Sequence, residues 1–357
     1  MKKALATILA LVMALGLTTA AWADEAKVAK IDGTEYATLK EAIEHVANGE
    51  TIVLTANVNN GDGIVVASGK NFTLDFAGHT YTITQNVVGS TGTESQCFQL
   101  LKDSTITMKD GAIVANCAGA KMIIQNYCNL TLDNMILDAT AGNNNVGYVV
   151  SNNCGNVVIK NGTTITAKTT GVAFDVYGGF QNYGDVSVTL EAGATVNGKV
   201  EVARDTGTQN KNTLTVTGGT VNGELAVTQN AKTEVAVTGG TFSSDVSAYA
   251  AGNTPVASNN GTYYVGAETI QNAANTLSAG QQLKIEKGTV TINGNTVTAG
   301  TSYTVPSRYY YYQPTTDTKT DNTKGSPKTF DAGIALYVGM ALTSAAGVAF
   351  VGKKRED

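Results

Sequence analysis

The chain has 357 residues and a formal net charge of −5, with 24 Lys plus Arg against 29 Asp plus Glu. Five of the cations, Lys2, Lys3, Lys353, Lys354 and Arg355, sit at the extreme ends. The body between them is therefore more acidic still and offers no basic face to a nucleic acid. Glycine is abundant at 39 residues and proline scarce at 4, a composition of strands and tight turns rather than of helices or disorder.

The first element is Met1-Lys2-Lys3, an apolar run from Ala4 to Leu17, and Ala21-Trp22-Ala23 before Asp24-Glu25. These are the three parts of a secretory signal peptide spanning 1–23, with cleavage after Ala23. Thr38-Leu39-Lys40-Glu41 then has the pattern of a capping box, and Leu39, Ala42, Ile43 and Val46 recur at helical spacing until Asn48-Gly49. This short helix, followed by Gly49-Glu50-Thr51-Ile52-Val53-Leu54, resembles the amphipathic N-terminal cap and first strand of the pectate-lyase-like β-helix superfamily. The resemblance covers some 20 residues and implies fold more than activity.

Short Thr/Val/Ile/Leu runs ending in turn residues follow at a repeating interval. They include Phe72 to Gly78, Ser104 to Gly111, Leu130 to Asn134, Val157 to Gly162, Val188 to Gly193, Leu214 to Gly219 and Val235 to Gly240. Their spacing of about 21 to 33 residues is that of one turn of a solenoid. Ile123-Ile124-Gln125-Asn126-Tyr127-Cys128 aligns with Val149-Val150-Ser151-Asn152-Asn153-Cys154 at an offset of 26, and Asn182-Tyr183 repeats the Asn126-Tyr127 step. These residues are expected to stack. An antiparallel sandwich would show turns every 8 to 12 residues, so the pattern predicts an all-β chain, a right-handed parallel β-helix over 24–265 with its cap helix at about 38–48.

Ile270, Ala273, Gly280, Leu283 and Ile285 reproduce the spacing of the N-terminal cap, which predicts a C-terminal unit over 266–305. It ends in a hairpin at Asn293-Gly294. Residues 306–327, with Tyr309 to Tyr312, read as a stalk. From 328 to 357 the sequence offers 21 uncharged residues, Ala332 to Gly352, and then Lys353-Lys354-Arg355. That length spans a bilayer as a helix with its basic end in the cytoplasm. Ser326-Pro327-Lys328-Thr329-Phe330 ahead of it resembles the Leu-Pro-x-Thr-Gly sorting signal of Gram-positive cell-wall proteins, with Ser326 in place of Leu and Phe330 in place of the Gly at which a sortase cleaves. The resemblance implies a cell-surface location, held by the membrane helix, with linkage to peptidoglycan only if a sortase accepts Phe330.

The chemistry-bearing residues are few. As the superfamily resemblance implies, a lyase would need Asp or Glu to hold calcium and an Arg or Lys as base; the weak candidates are Asp75, Asp133 and Arg204. Near strand ends, Asp more often bonds turn backbone. His45 and His79 lack partners at metal-ligand spacing, so no metal site and no cofactor is expected, calcium entering only under the lyase reading. Cys97, Cys117, Cys128 and Cys154 lie in the middle third. Cys128 and Cys154, one repeat apart, are compatible with a disulfide or with stacked free thiols. Asn126, Tyr127, Tyr148, Asn152, Tyr177, Asn182 and Tyr183 form the candidate ligand-binding set, because amides and aromatic faces suit sugars. Stacked Asn side chains also serve as turn ladders. Three functions stay open: surface binding or adhesion to a glycan or host-cell protein, a polysaccharide lyase or hydrolase, and a purely structural stalk.

Overall fold

The computed structural model describes residues 27–207 and 209–307. The signal peptide at 1–23, most of the stalk, the sorting-like motif Ser326 to Phe330 and the apolar stretch after it lie outside the described residues.

β-Strand is the main element of the described chain, most of it paired in parallel, and two α-helices accompany it: α1, Leu39–His45, and α2, Ala267–Thr276. No helix among the described residues is long and apolar enough to cross a membrane. Alternation of apolar and polar residues makes the strands, and three parallel ladders collect them. The first ladder joins Thr51–Leu54, Asn71–Asp75, the first half of Thr105–Ala115, the first half of Asn129–Asp138, Gly155–Ile159, Val186–Leu190, Asn212–Val216 and Thr233–Val237. The second joins Val58–Gly61, Thr80–Ile83, the second halves of the two long strands, Thr164–Thr166, Thr195–Asn197, Thr220–Asn222 and Gly240–Phe242. The third is a separate seven-stranded sheet, from Ile64–Val66 through Gln96–Leu100, Met122–Asn126, Tyr148–Asn152, Val172–Val176 and Lys199–Val202 to Leu225–Val227.

The chain visits the three ladders in turn. Each strand pairs with one that follows 21 residues later (Leu214 with Val235) to 34 residues later (Leu74 with Met108). In register, like residues stack. Ile52, Leu74, Met108, Leu132, Ile159, Leu190, Val216 and Val237 form one buried row of the first ladder. Tyr81, Ile113, Leu137, Ile165, Val196, Val221 and Phe242 form another in the second, and both belong to one continuous core. Each such side chain contributes about 1.5–3 kcal/mol by leaving water.

Both ends of the array change direction. At the N-terminus Ala29–Ile31 pairs antiparallel with Thr51–Leu54 and, through a two-residue turn, with Thr34–Tyr36. Asp32 and Gly33 supply the turn with φ of 43° and 83°. Helix α1 follows with Thr38 as its cap, whose Oγ1 accepts from Glu41 N at 3.1 Å, and it buries Leu39, Ala42 and Ile43.

At the other end the parallel ladders finish with Gly240–Phe242. Thr262–Val265 runs antiparallel to it and to Val256–Asn259. Asn260-Gly261, with φ of 47° and 81°, closes the tight hairpin between these last two strands. Helix α2, the strand Gln282–Lys287 and the hairpin Thr289–Ile292/Asn295–Thr298 then enclose a second, smaller core of Ile270, Ala273, Leu283, Ile285, Val290, Ile292 and Tyr303.

Candidate functional site

The polar face of the third ladder gathers the residues of greatest chemical interest. Gln99, Gln125 and Ser151 stack in register there, and Asp175 with Glu201 continues the line. The register slips between Val172 and Phe174, a β-bulge of one extra residue. On the neighbouring strand Tyr148–Asn152, Val149 and Val150 both enter the core, while Tyr148 Oη and Ser151 Oγ reach Glu201 and Asp175. Beyond Val202, Ala203 adopts a left-handed φ of 54°, a conformation costing a side chain about 1 kcal/mol. The chain bends there, and Arg204 folds back across the ladder.

The Arg204 guanidinium lies 4.5 Å from the ring centre of Tyr148 and 4.7 Å from that of Tyr177, a cation held between two aromatic faces. Its Nη2 is ion-paired with Asp175 Oδ2, and its Nε is 3.5 Å from Glu201 Oε2. Asp175 is fully buried and accepts from Asn152 N at 2.6 Å and Ser151 Oγ at 3.3 Å. Burial raises its pKa to about 6 against the pull of Arg204 and the Asn152 N–H. Burial works against the charge on Arg204 too, but Asp175, with Tyr148 and Glu201, outweighs it and holds the guanidinium charged. Tyr148 Oη donates to Glu201 Oε2 at 3.1 Å, Lys199 Nζ lies 2.9 Å from Glu201 Oε1, and Tyr177 Oη donates to Asp205 Oδ2 at 2.9 Å.

An aromatic ledge continues from Tyr177 along the loop to Val186. Phe180 packs edge-on to Tyr177 at 6.2 Å and to Tyr183 at 5.8 Å, and Tyr183 lies 4.7 Å from Tyr127. Tyr127 is buried, whereas Phe180 and Tyr183 are 42% and 36% exposed, so the ledge presents two ring faces to solvent. Comparison with protein-family models, curated proteins and solved structures finds no match to the chain.

The residues expected from sequence divide sharply. Tyr127, Tyr148, Tyr177, Tyr183 and Arg204 come together here. Asn126 and Asn152 do not face a ligand, because both are fully buried. Asn126 Nδ2 donates to Cys128 O and Asn152 Oδ1, its Oδ1 accepts from Cys128 N, and Asn152 Nδ2 donates to Asp175 O. They form the turn ladder. Asn182 does not join that stack; it is exposed in the ledge loop, where its carbonyl accepts from Lys102 Nζ at 3.2 Å.

Asp75 and Asp133 lie on the first ladder, apart from Arg204 on the third. Asp75 is 2.7 Å from Lys109 Nζ and accepts from Ala77 N, the turn-forming role, and Asp133 is 3.4 Å from Lys160 Nζ. Cys128 and Cys154 are free thiols, as are Cys97 and Cys117. Cys128 Sγ donates to Asn126 Oδ1 and Cys154 Sγ to Tyr183 O, so the two sulfurs serve different acceptors.

Sequence reasoning passed over Asp175, Glu201 and Phe180. Asp175 and Glu201 are 26 residues apart, the same offset that aligned Asn126 with Asn152, and that interval was the available signal.

Proposed function

We propose that the chain is an exported surface protein built as a right-handed parallel β-helix, and that it binds glycan without turning it over. Three ladders visited in turn by parallel strands support the helix, and the strong preference of parallel connections for right-handed crossovers supports its hand. Export and surface retention rest on the signal-peptide pattern at 1–23 and the sorting-like tail, which carry the ladders to where glycans are met.

One observation carries the binding reading: exposed Phe180 and Tyr183 rings beside Tyr177, flanked by polar groups already fixed in place. Sugar rings present C–H faces that suit aromatic platforms and hydroxyls that suit carboxylates such as Glu201. The local charges nearly balance, Arg204 and Lys199 against Asp175, Glu201 and Asp205, which favours a neutral glycan. A lyase reading is less well served. Its only arginine candidate is held charged by two carboxylates, and a general base has to give up its proton near neutral pH.

The test is a glycan array probed with the full-length chain, run beside an unsaturated-product assay on acidic polysaccharides with calcium. Binding lost on Phe180→Ala/Tyr183→Ala, with no turnover, supports the proposal; turnover abolished by Arg204→Lys overturns it.

A further inference from the structure

A second groove, lined by none of the ledge residues, runs between helix α2 and the corner joining the first and second ladders. Its volume is 510 Å³, within the range of about 300–1,000 Å³ typical of ligand sites. The floor is backbone: Gly193, Gly218, Gly219 and Gly240 stack so closely that a Cβ on Gly219 would lie 2.8 Å from Ala194 O and one on Gly240 2.9 Å from Gly219 O. One wall is a row of threonines in register, Thr195, Thr220 and Thr241. The other is the face of α2 that carries Glu268 and Asn272. The hydroxyls of the three threonines, the Asn272 amide and the Glu268 carboxylate have no hydrogen-bond partner among the described residues.

We infer that this groove binds an extended, neutral, β-linked polysaccharide strand lying along the ladder axis. Strands of one sheet stand about 4.8 Å apart, so the wall offers one hydroxyl per strand at a fixed interval close to the length of one sugar in an extended chain. The three threonines stand on three successive strands and so span about 10 Å, room for two such sugar intervals. The absence of cations among the lining residues disfavours a polyanion. Glu268 and Asn272 are exposed and the threonines half-buried, so their hydroxyl, amide and carboxylate groups are free to exchange water for the hydroxyls of a polyhydroxylated chain, which an apolar peptide does not offer. The inference shares only the class of ligand with the ledge and uses none of its residues.

The probe is cellohexaose, an extended β-linked oligosaccharide, with the curved α-linked maltohexaose as control, titrated against the full-length chain by calorimetry and hydrogen exchange. Cellohexaose is expected to bind, to slow exchange at Gly218 to Thr220 and along α2, and to bind about tenfold more weakly to Thr220→Val/Asn272→Ala. Glu268→Gln, an exposed change that keeps the fold, is expected to weaken it as well. Phe180→Ala/Tyr183→Ala is expected to leave the protection of the groove unchanged, which separates this site from the ledge. No binding of cellohexaose, equal binding of maltohexaose, or protection confined to the ledge would overturn the inference.

Discussion

Arg204 closes over Asp175, a carboxylate with no exposed surface, and is itself covered on both faces by the rings of Tyr148 and Tyr177. Tyr148 and Asp175 come from two neighbouring strands, Tyr177 directly follows the second, and Arg204 lies in the bend after the third. The unit therefore forms only when the third ladder is in register, and it fixes the position of the ledge beside it.

Removing the cation should expose the cost of the buried charge. Arg204→Ala is expected to destabilise the protein by about 3 kcal/mol at pH 7, because breaking a buried pair leaves its partner uncompensated. The penalty should shrink at pH 5, where Asp175 takes up a proton. Denaturant melts of both proteins at the two pH values measure it.

Asp175 also sets a pH dependence. Its folded pKa of about 6 lies above the ordinary 3.8, so the folded state binds the proton more tightly than the unfolded chain between those values. The stability that this group contributes is complete below about 3.8 and is lost as pH rises through about 6. Asp175→Asn lacks the titration. From pH 7 down to pH 4 the wild type should gain stability relative to Asp175→Asn; a constant difference in urea midpoints would contradict the assignment.

The stacked turns make a separate demand on backbone. Gly219 and Gly280 share a φ of 85°, but a Cβ on Gly280 meets nothing within 4 Å while one on Gly219 meets Ala194 O and Glu191 O at 2.8 and 2.9 Å. Both Ala variants carry the same conformational penalty, so their difference isolates the contact. Gly219→Ala is expected to be the less stable of the two by about 1–3 kcal/mol in thermal or urea unfolding.

Asn126 tests the turn ladder. Asn126→Ala leaves the Cys128 N–H and carbonyl without their buried partner and should cost about 2 kcal/mol or more, read from urea unfolding. It should leave glycan affinity unchanged, since Asn126 has no exposed surface.

Thiol reactivity reports the same packing. Burial pushes the Cys128 thiol up to about 12, and Cys97 higher still, whereas Cys117 is the least buried of the four. Iodoacetamide at pH 8 followed by mass spectrometry should label Cys117 first, and Cys97 and Cys128 only after unfolding. Uniform labelling of the native protein would contradict the burial.

The ladders were legible because their signal is periodic. Apolar rows such as Leu132, Ile159 and Leu190 recur at the interval of the fold, and capping at Thr38 and the hairpin at Asn293-Gly294 are local chemistry. The hairpins at Asp32-Gly33 and Asn260-Gly261 carried an equally local signal, and it was the dominance of the longer repeat that hid the antiparallel ends. The site was legible only in part. Tyr148, Tyr177 and Arg204 stand out as residue types, but Arg204 reaches the two rings from a bend at the left-handed Ala203, which leaves no mark in sequence. Asn126 and Asn152 were misleading because an amide that caps a buried turn and an amide that binds sugar are the same residue.

The central claim is that the Tyr177–Phe180–Tyr183 ledge binds glycan, and its most direct test is calorimetric titration of the strongest array ligand into wild type and Phe180→Ala/Tyr183→Ala. Each lost stacking contact is worth about 0.5–1.5 kcal/mol, so affinity is predicted to fall about tenfold at a temperature where circular dichroism shows both proteins folded. Undiminished affinity in the double variant would contradict the account.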